Sequence, residues 1–415
     1  MSVRQAACAL HFLRTVNSTR GTKYLLRVML YELKNGAFPD ERRISIVATN
    51  IPVTDPARRR LMSLDALRGF DMFWITGGAT IISALLALTG WSGFKYILDQ
   101  LEHAEWNGFT PLDLVFPLFL FIAGVAMPYS LGRRMEEGQS RWQLHWRVIR
   151  RGLTLVVLGW VYQGLLKFEF STMRYPSVLG RIGLAYMFAG LIFLHSKPRG
   201  RIAWVVGLLL GYWAAMKLIP VPGFGAGDLA PGHTLADFID RNLLPGKLYR
   251  VVRDPEGIFS TVPAIGTALL GSLTGLWLRH AKANGHLKAV GMLVSGIVML
   301  ALGWFWNRWF PVNKNLWSSS FVLVTGGWSL ILLSFFYWVI DVVSLRRWAF
   351  PFVVIGTNAI TIYLGVRFIG FQDLAASLFA RGQSIMHPAV FGCTGFFLEW
   401  IVLYLMYRNR WFLRV

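Results

Sequence analysis

The segment Glu102-His103-Ala104-Glu105-Trp106-Asn107-Gly108-Phe109-Thr110-Pro111-Leu112-Asp113 gathers a histidine, an amide, three carboxylates and a tryptophan immediately before the apolar run 114–129. A histidine titrates near neutral pH, which makes His103 suited to be a general base or an acyl-accepting nucleophile. A nearby carboxylate such as Asp113 is suited to orient its other ring nitrogen, and Asn107 adds a polar group beside the pair. From spacing alone a second reading stays open, that of an interfacial histidine with no chemical role. Neither a second histidine nor a cysteine lies at ligand spacing, so no metal site is expected.

Other polar positions could line a common cavity with it. Asp65 and Arg68, and then Arg68 and Asp71, are three residues apart at the start of the first apolar segment and can meet on one helix face. They read either as an ion-paired helix start or as the polar wall of a substrate passage. Arg181, Glu256, Asn313, Lys314 and Asn358 lie in or beside apolar segments, where each alone reads as a cap, turn or bundle contact. Taken with Trp106, several such groups on one side suit a hydroxyl-rich ligand. The glycine-rich 223–227 has no strand before it and is not expected to cradle phosphate. The remaining histidines fall in basic loops (His145, His195, His280, His286), near the N-terminus (His11) or in other loops without comparable neighbours (His233, His387).

The elements that must position these residues are membrane helices. Of 415 residues 55% are hydrophobic, with 18 Trp and 30 Phe, and the mean hydropathy is +0.48, a composition outside the soluble globular class. A span needs roughly 20 mostly apolar residues. Segments centred on 69–89, 112–131, 149–166, 178–195, 202–219, 258–278, 289–310, 317–340, 349–366 and 388–407 meet that requirement, so the chain reads as an all-α polytopic membrane protein with about ten spans. The shorter 368–379 is interfacial, re-entrant or an eleventh. Residues 1–60 are mixed and basic and read as a cytoplasmic extension of low order, or as a start placed too far upstream with Met62 nearer the true beginning. Residues 61–415 form the membrane domain.

The formal charge of +21 falls on alternate loops: Arg58–Arg60, the cluster Arg133, Arg134, Arg141, Arg147, Arg150 and Arg151, then 197–201, 279–288, 346–347 and 408–414. Excess Lys and Arg mark cytoplasmic loops, so the charge is accounted for without nucleic acid, and an even number of spans places both termini inside. The loops between hold most of the acids and should face outward. Cys8 and Cys393 are too few and too far apart for a disulfide framework.

Ser63-Leu64-Asp65-Ala66-Leu67-Arg68-Gly69, His103-Ala104-x-Trp106-Asn107-Gly108-x-Thr110-x-x-Asp113-Leu114-Val115-Phe116-Pro117, the patch around Arg181, Pro255-Glu256-Gly257 and Asn313-Lys314-Asn315-Leu316-Trp317 stand in one order over residues 62 to about 365. Together they resemble the heparan-alpha-glucosaminide N-acetyltransferase family and its bacterial relatives. The resemblance implies a transmembrane acetyltransferase of the bacterial inner membrane. It would take acetyl from cytoplasmic acetyl-CoA and deliver it to a glucosamine amine outside, with His103 essential and Asp113, Asn107 and Asp65 as matching polar positions. Arg133, Arg134, Arg150 and Arg151 are the candidates for the CoA phosphates. No metal is expected, and a homodimer is compatible with this reading. Lysosomal members carry a long lumenal domain before the first motif, which has no counterpart here, so a cell-envelope or scavenged amino sugar is the expected acceptor. Two alternatives remain: an amino-sugar permease without chemistry, and an O-acyltransferase of a cell-envelope glycan.

Overall fold

The computed structural model describes residues 61–89, 94–380 and 386–413; the expected N-terminal extension lies outside them. Apolar runs bounded by caps and glycines set the helices. The first, α1, is Met62–Thr89, with a wide turn at Trp74–Gly78 where Gly77 takes φ 144°. After a short helix at Phe94–Gln100, the His103 segment leads into α2, Pro111–Glu136. Next come α3, Arg141–Gln163, capped by the Ser140 side chain and ended by left-handed Gly164, α4, Val178–His195, and α5, Pro198–Leu218. A loop then carries the two-residue hairpin Pro220–Val221 with Gly225–Ala226 and the amphipathic α6, Leu235–Leu243. It is followed by α7, Thr261–Arg279, α8, Gly285–Trp306, and α9, Ser319–Val342. The last elements are α10, Phe350–Thr357, α11, Ala359–Ile369, α12, Phe371–Leu378, and α13, Ala389–Arg408.

Among the described residues eight helices are long and apolar enough to cross a membrane, and nine if the pair α10–α11, bent by 66°, counts as one span. This is an all-α, multi-pass membrane protein. The expected span 149–166 is the second part of α3, a 23-residue helix whose first turns carry Arg141, Arg147, Arg150 and Arg151. The expected span 349–366 is broken at Asn358. Segment 368–379 holds the end of α11 and then, after Gly370, the eight residues of α12, about 12 Å of helix, which is too short to span about 30 Å.

Helix α2 contributes to two core clusters. One side packs into a core with α3, α4 and α7 through Phe116, Leu120, Met127, Leu179, Ala185 and Ala268. Its other side packs with α1, α8 and α9 through Leu118, Phe121, Ile122, Leu67, Met292 and Leu333. Close approach is built in with glycine: a methyl group on Gly124 would fall on the Ala268 carbonyl oxygen, and one on Gly356 would fall on that of Asp65. Lipid does not drive helices together by apolar burial, so such small-residue contacts are how backbones come within dispersion range.

A histidine, aspartate and lysine at the mouth of a cavity

The start of α2 fixes one carboxylate. Thr110 caps the helix, and Asp113 reaches back in a capping box, a local pattern that satisfies otherwise orphaned N–H groups. Asp113 Oδ2 accepts from Thr110 N–H and Thr110 Oγ1, both at 3.1 Å, and more distantly from Ala104 N–H at 3.4 Å. The other oxygen, Oδ1, is left free to meet His103 Nδ1 at 2.8 Å. A helix cap and the orientation of the imidazole are therefore duties of one fully buried side chain. The Thr-x-x-Asp spacing before an apolar run was a signal available in the sequence. With Nδ1–H donated to Asp113, the lone pair sits on Nε2.

The third member comes from the loop between α8 and α9. Lys314 Nζ lies 3.0 Å from His103 Nε2, 2.9 Å from Nδ1 and 3.4 Å from Asp113 Oδ1. Burial pulls the Lys314 ammonium below the ordinary lysine range, and the Asp113 carboxylate opposes that shift. The two loops are stitched together. Asn313 Nδ2 donates to Asn107 Oδ1 at 3.1 Å, and Gly108 N–H donates to the Val312 carbonyl at 2.8 Å. Trp106 Nε1 anchors the same segment to the Leu229 carbonyl at 3.0 Å. Asn107, Asn313 and Trp106 thus hold the loops, while His103 stays half-exposed with its side chain 52% accessible.

His103 and Lys314 open on a cavity of about 640 Å³. It is lined by the polar Arg174, Tyr249, Arg250, Arg253 and Glu256 and by an apolar wall that includes Met72, Phe119, Ile182 and Ile360. Arg174 holds the mouth together: its guanidinium grips Asp254 at 2.6 and 2.7 Å and also bonds Glu256. Burial lowers the affinity of Arg174 for its proton, and the two carboxylates more than reverse that.

Several expected site residues lie elsewhere. Arg181 is buried behind the wall, donating to the Gly257 carbonyl and Ser260 Oγ. Asn358 binds the C-terminal segment, donating to the Trp411 carbonyl at 3.1 Å and accepting from Leu413 N–H at 3.2 Å. Asp65 and Arg68 pair at 3.5 Å, four to seven residues before the nearest lining position on α1. None of Arg133, Arg134, Arg150 and Arg151 lines the cavity. Arg133 pairs with Glu137 at 2.9 Å, some 20 helical residues and roughly 30 Å from Asp113, and Arg151 donates to Tyr186 Oη at 3.2 Å. Three histidines have partners the sequence did not announce: His233 bonds Asp228 at 2.8 Å and stacks on Phe224, and His145 and His195 meet at 2.7 Å. Arg174, Arg250 and Arg253 were missed. Their signal was positive charge in the loops where the charge bias leaves acids.

The fold and site define a class: a polytopic membrane protein that places a histidine, held by aspartate and flanked by lysine, on a cavity. Residues 60–164, which hold the His103 segment, match a family model described as a domain of unknown function (DUF5009). The chain is 30% identical to heparan-alpha-glucosaminide N-acetyltransferase of Homo sapiens over 361 residues, 74% of this chain and 52% of that protein. It is 27% identical to the Mus musculus protein of the same name over 411 residues, 86% of this chain and 60% of that protein. The chain therefore spans between half and two thirds of the length of these curated relatives. Over most of its own length it is related to them, as the five motifs imply. Among the described residues no cluster of three metal-ligating side chains occurs.

Proposed function

We propose that this chain is a transmembrane N-acetyltransferase of the inner bacterial membrane, moving acetyl from cytoplasmic acetyl-CoA to the amine of a glucosamine-type sugar on the periplasmic side. One observation carries the reading: His103 has its Nδ1 held by Asp113 Oδ1 and its Nε2 at the cavity mouth, 3.0 Å from Lys314 Nζ. The similarity to named N-acetyltransferases supports the same reaction.

An amine attacks a thioester only as the free base. In the proposed step the sugar amine displaces Lys314 from Nε2, adds to the acetyl carbonyl and passes its proton to His103. The tetrahedral oxyanion then collapses, expelling CoA thiolate, which takes the proton to leave as the thiol while the amide stays on the sugar. Asp113 keeps the tautomer fixed and stabilises the imidazolium, and the Lys314 ammonium is placed to stabilise the oxyanion. The apolar wall of Met72, Phe119, Ile182 and Ile360 is where a pantetheine arm would lie.

The test is transfer of labelled acetyl from acetyl-CoA inside proteoliposomes to glucosamine outside. Uptake of unmodified glucosamine by vesicles lacking acetyl-CoA, with no labelled product in vesicles containing it, would favour a permease and sink the proposal.

A further inference from the structure

Arg250 and Arg253 face one another across the two-residue turn Val251-Val252. Arg250 N–H donates to the Arg253 carbonyl at 3.0 Å, and Arg253 N–H donates to the Arg250 carbonyl at 2.9 Å. Residues paired in this way carry their side chains to the same side, and like charges so placed repel. Both side chains line the cavity at whose mouth His103 stands. The other cations there are engaged, Arg174 with Asp254 and Glu256, and Lys314 with Asp113 and His103. Among the described residues no ion pair joins Arg250 or Arg253 to a carboxylate. The Arg253 guanidinium stacks 4.3 Å from the centre of the Trp106 ring, and its Nη1 is buried with no hydrogen-bond partner. The nearby acids are Glu105 and Glu256 on the cavity wall, and Asp237, whose charge reaches Arg253.

We propose that the Arg250–Arg253 turn is an oxyanion subsite, holding a phosphate, sulfate or carboxylate group borne by the acceptor sugar while its amine faces His103. The proposal rests on the acetyl-transfer reading and narrows its substrate class from a neutral amino sugar to an anionic one. Two guanidinium forks match the oxygens of such a group. An anion between them relieves the repulsion across the turn and gives Arg253 Nη1 its missing acceptor. The stack on Trp106, three residues from His103, ties this turn to the loop that carries the base. Acetyl-CoA carries phosphates too, so the experiment separates the two sources.

Purified full-length protein in proteoliposomes is assayed with labelled acetyl-CoA and with glucosamine, glucosamine 6-phosphate or glucosamine 1-phosphate. The wild type should show a KM for one of the phosphorylated sugars roughly ten- to a hundredfold below that for glucosamine, the range expected of charge-assisted hydrogen bonds. The double variant R250Q/R253Q should lose that discrimination, and R250K/R253K should keep part of it. Equal KM values for all three sugars in the wild type, or a rise in KM confined to acetyl-CoA in the glutamine variant, overturns the subsite while leaving the acetyltransferase reading intact. Absence of transfer to any sugar sinks that reading instead. Calorimetric titration with glucosamine 6-phosphate and glucosamine 1-phosphate then decides the subsite: binding lost in the glutamine variant supports it, and no binding or equal binding overturns it.

Discussion

Lys314 Nζ stands 3.0 Å from His103 Nε2 although 211 residues separate the two in the chain. The pairing puts the ammonium within 3.0 Å of the imidazole nitrogen that Asp113 leaves free and 2.9 Å from the one it holds, so the proposed base and the proposed electrostatic stabiliser meet on one cavity wall.

Removing the His103 imidazole tests its proposed role directly. His103→Ala should lower kcat for acetyl transfer by roughly 10²–10⁴, the usual contribution of a positioned general base, with the protein still folded by size-exclusion profile. Asp113→Asn should lower kcat as well, since an amide can present its N–H to Nδ1 and favour the wrong tautomer. Wild-type activity in His103→Ala would refute the mechanism.

Lys314 supplies a pH signature. Its proton is lost below the ordinary lysine range because of burial, so transfer that needs the ammonium should fall on the alkaline side before an ordinary lysine would titrate. Lys314→Arg, if it folds and retains activity, should move that limb upward, because arginine stays charged to about pH 12 or beyond. Linkage gives the stability sign: between the lowered folded pKa and about 10.4 the unfolded chain binds more protons, so stability rises with pH there. An alkaline limb unchanged in Lys314→Arg would assign it to another group.

Asp240 on α6 behaves oppositely. Burial pushes its carboxyl up to about 7, against the hydrogen bond from Ile258 N–H and the charge of Arg181. The folded state then binds more protons than the unfolded one between about pH 4 and 7, so stability falls as pH rises through that window. Thermal unfolding in detergent should show a declining Tm over that range in the wild type and a flatter profile in Asp240→Asn. Parallel profiles would reject this account.

Helix contact through glycine makes a packing prediction. Gly356→Ala places a methyl on the Asp65 carbonyl oxygen, and forcing α1 and α10 apart should cost about 1–3 kcal/mol or more, seen as a lower Tm or loss of monodisperse protein. Gly207→Ala on α5 meets nothing within 4 Å and gains up to about 1 kcal/mol of helix propensity, so it serves as the matched control.

Much of this protein is legible in its sequence because hydropathy and motif spacing are local properties. Apolar runs mark α1, α2, α4, α5 and α7 through α9, and His103 and Asp113 stand ten residues apart in one loop, close enough for a single helix cap to join them. What the tertiary structure decided is which distant loops meet. It brought Lys314 to His103 and Arg174 to Asp254 and Glu256, and it took Arg181 and Asn358 out of the cavity into buried contacts. It also broke the expected span 349–366 at Asn358. Each outcome depends on packing between helices far apart in the chain, where backbone hydrogen bonds and buried charges must find partners, and no periodicity along one segment encodes which partner that is.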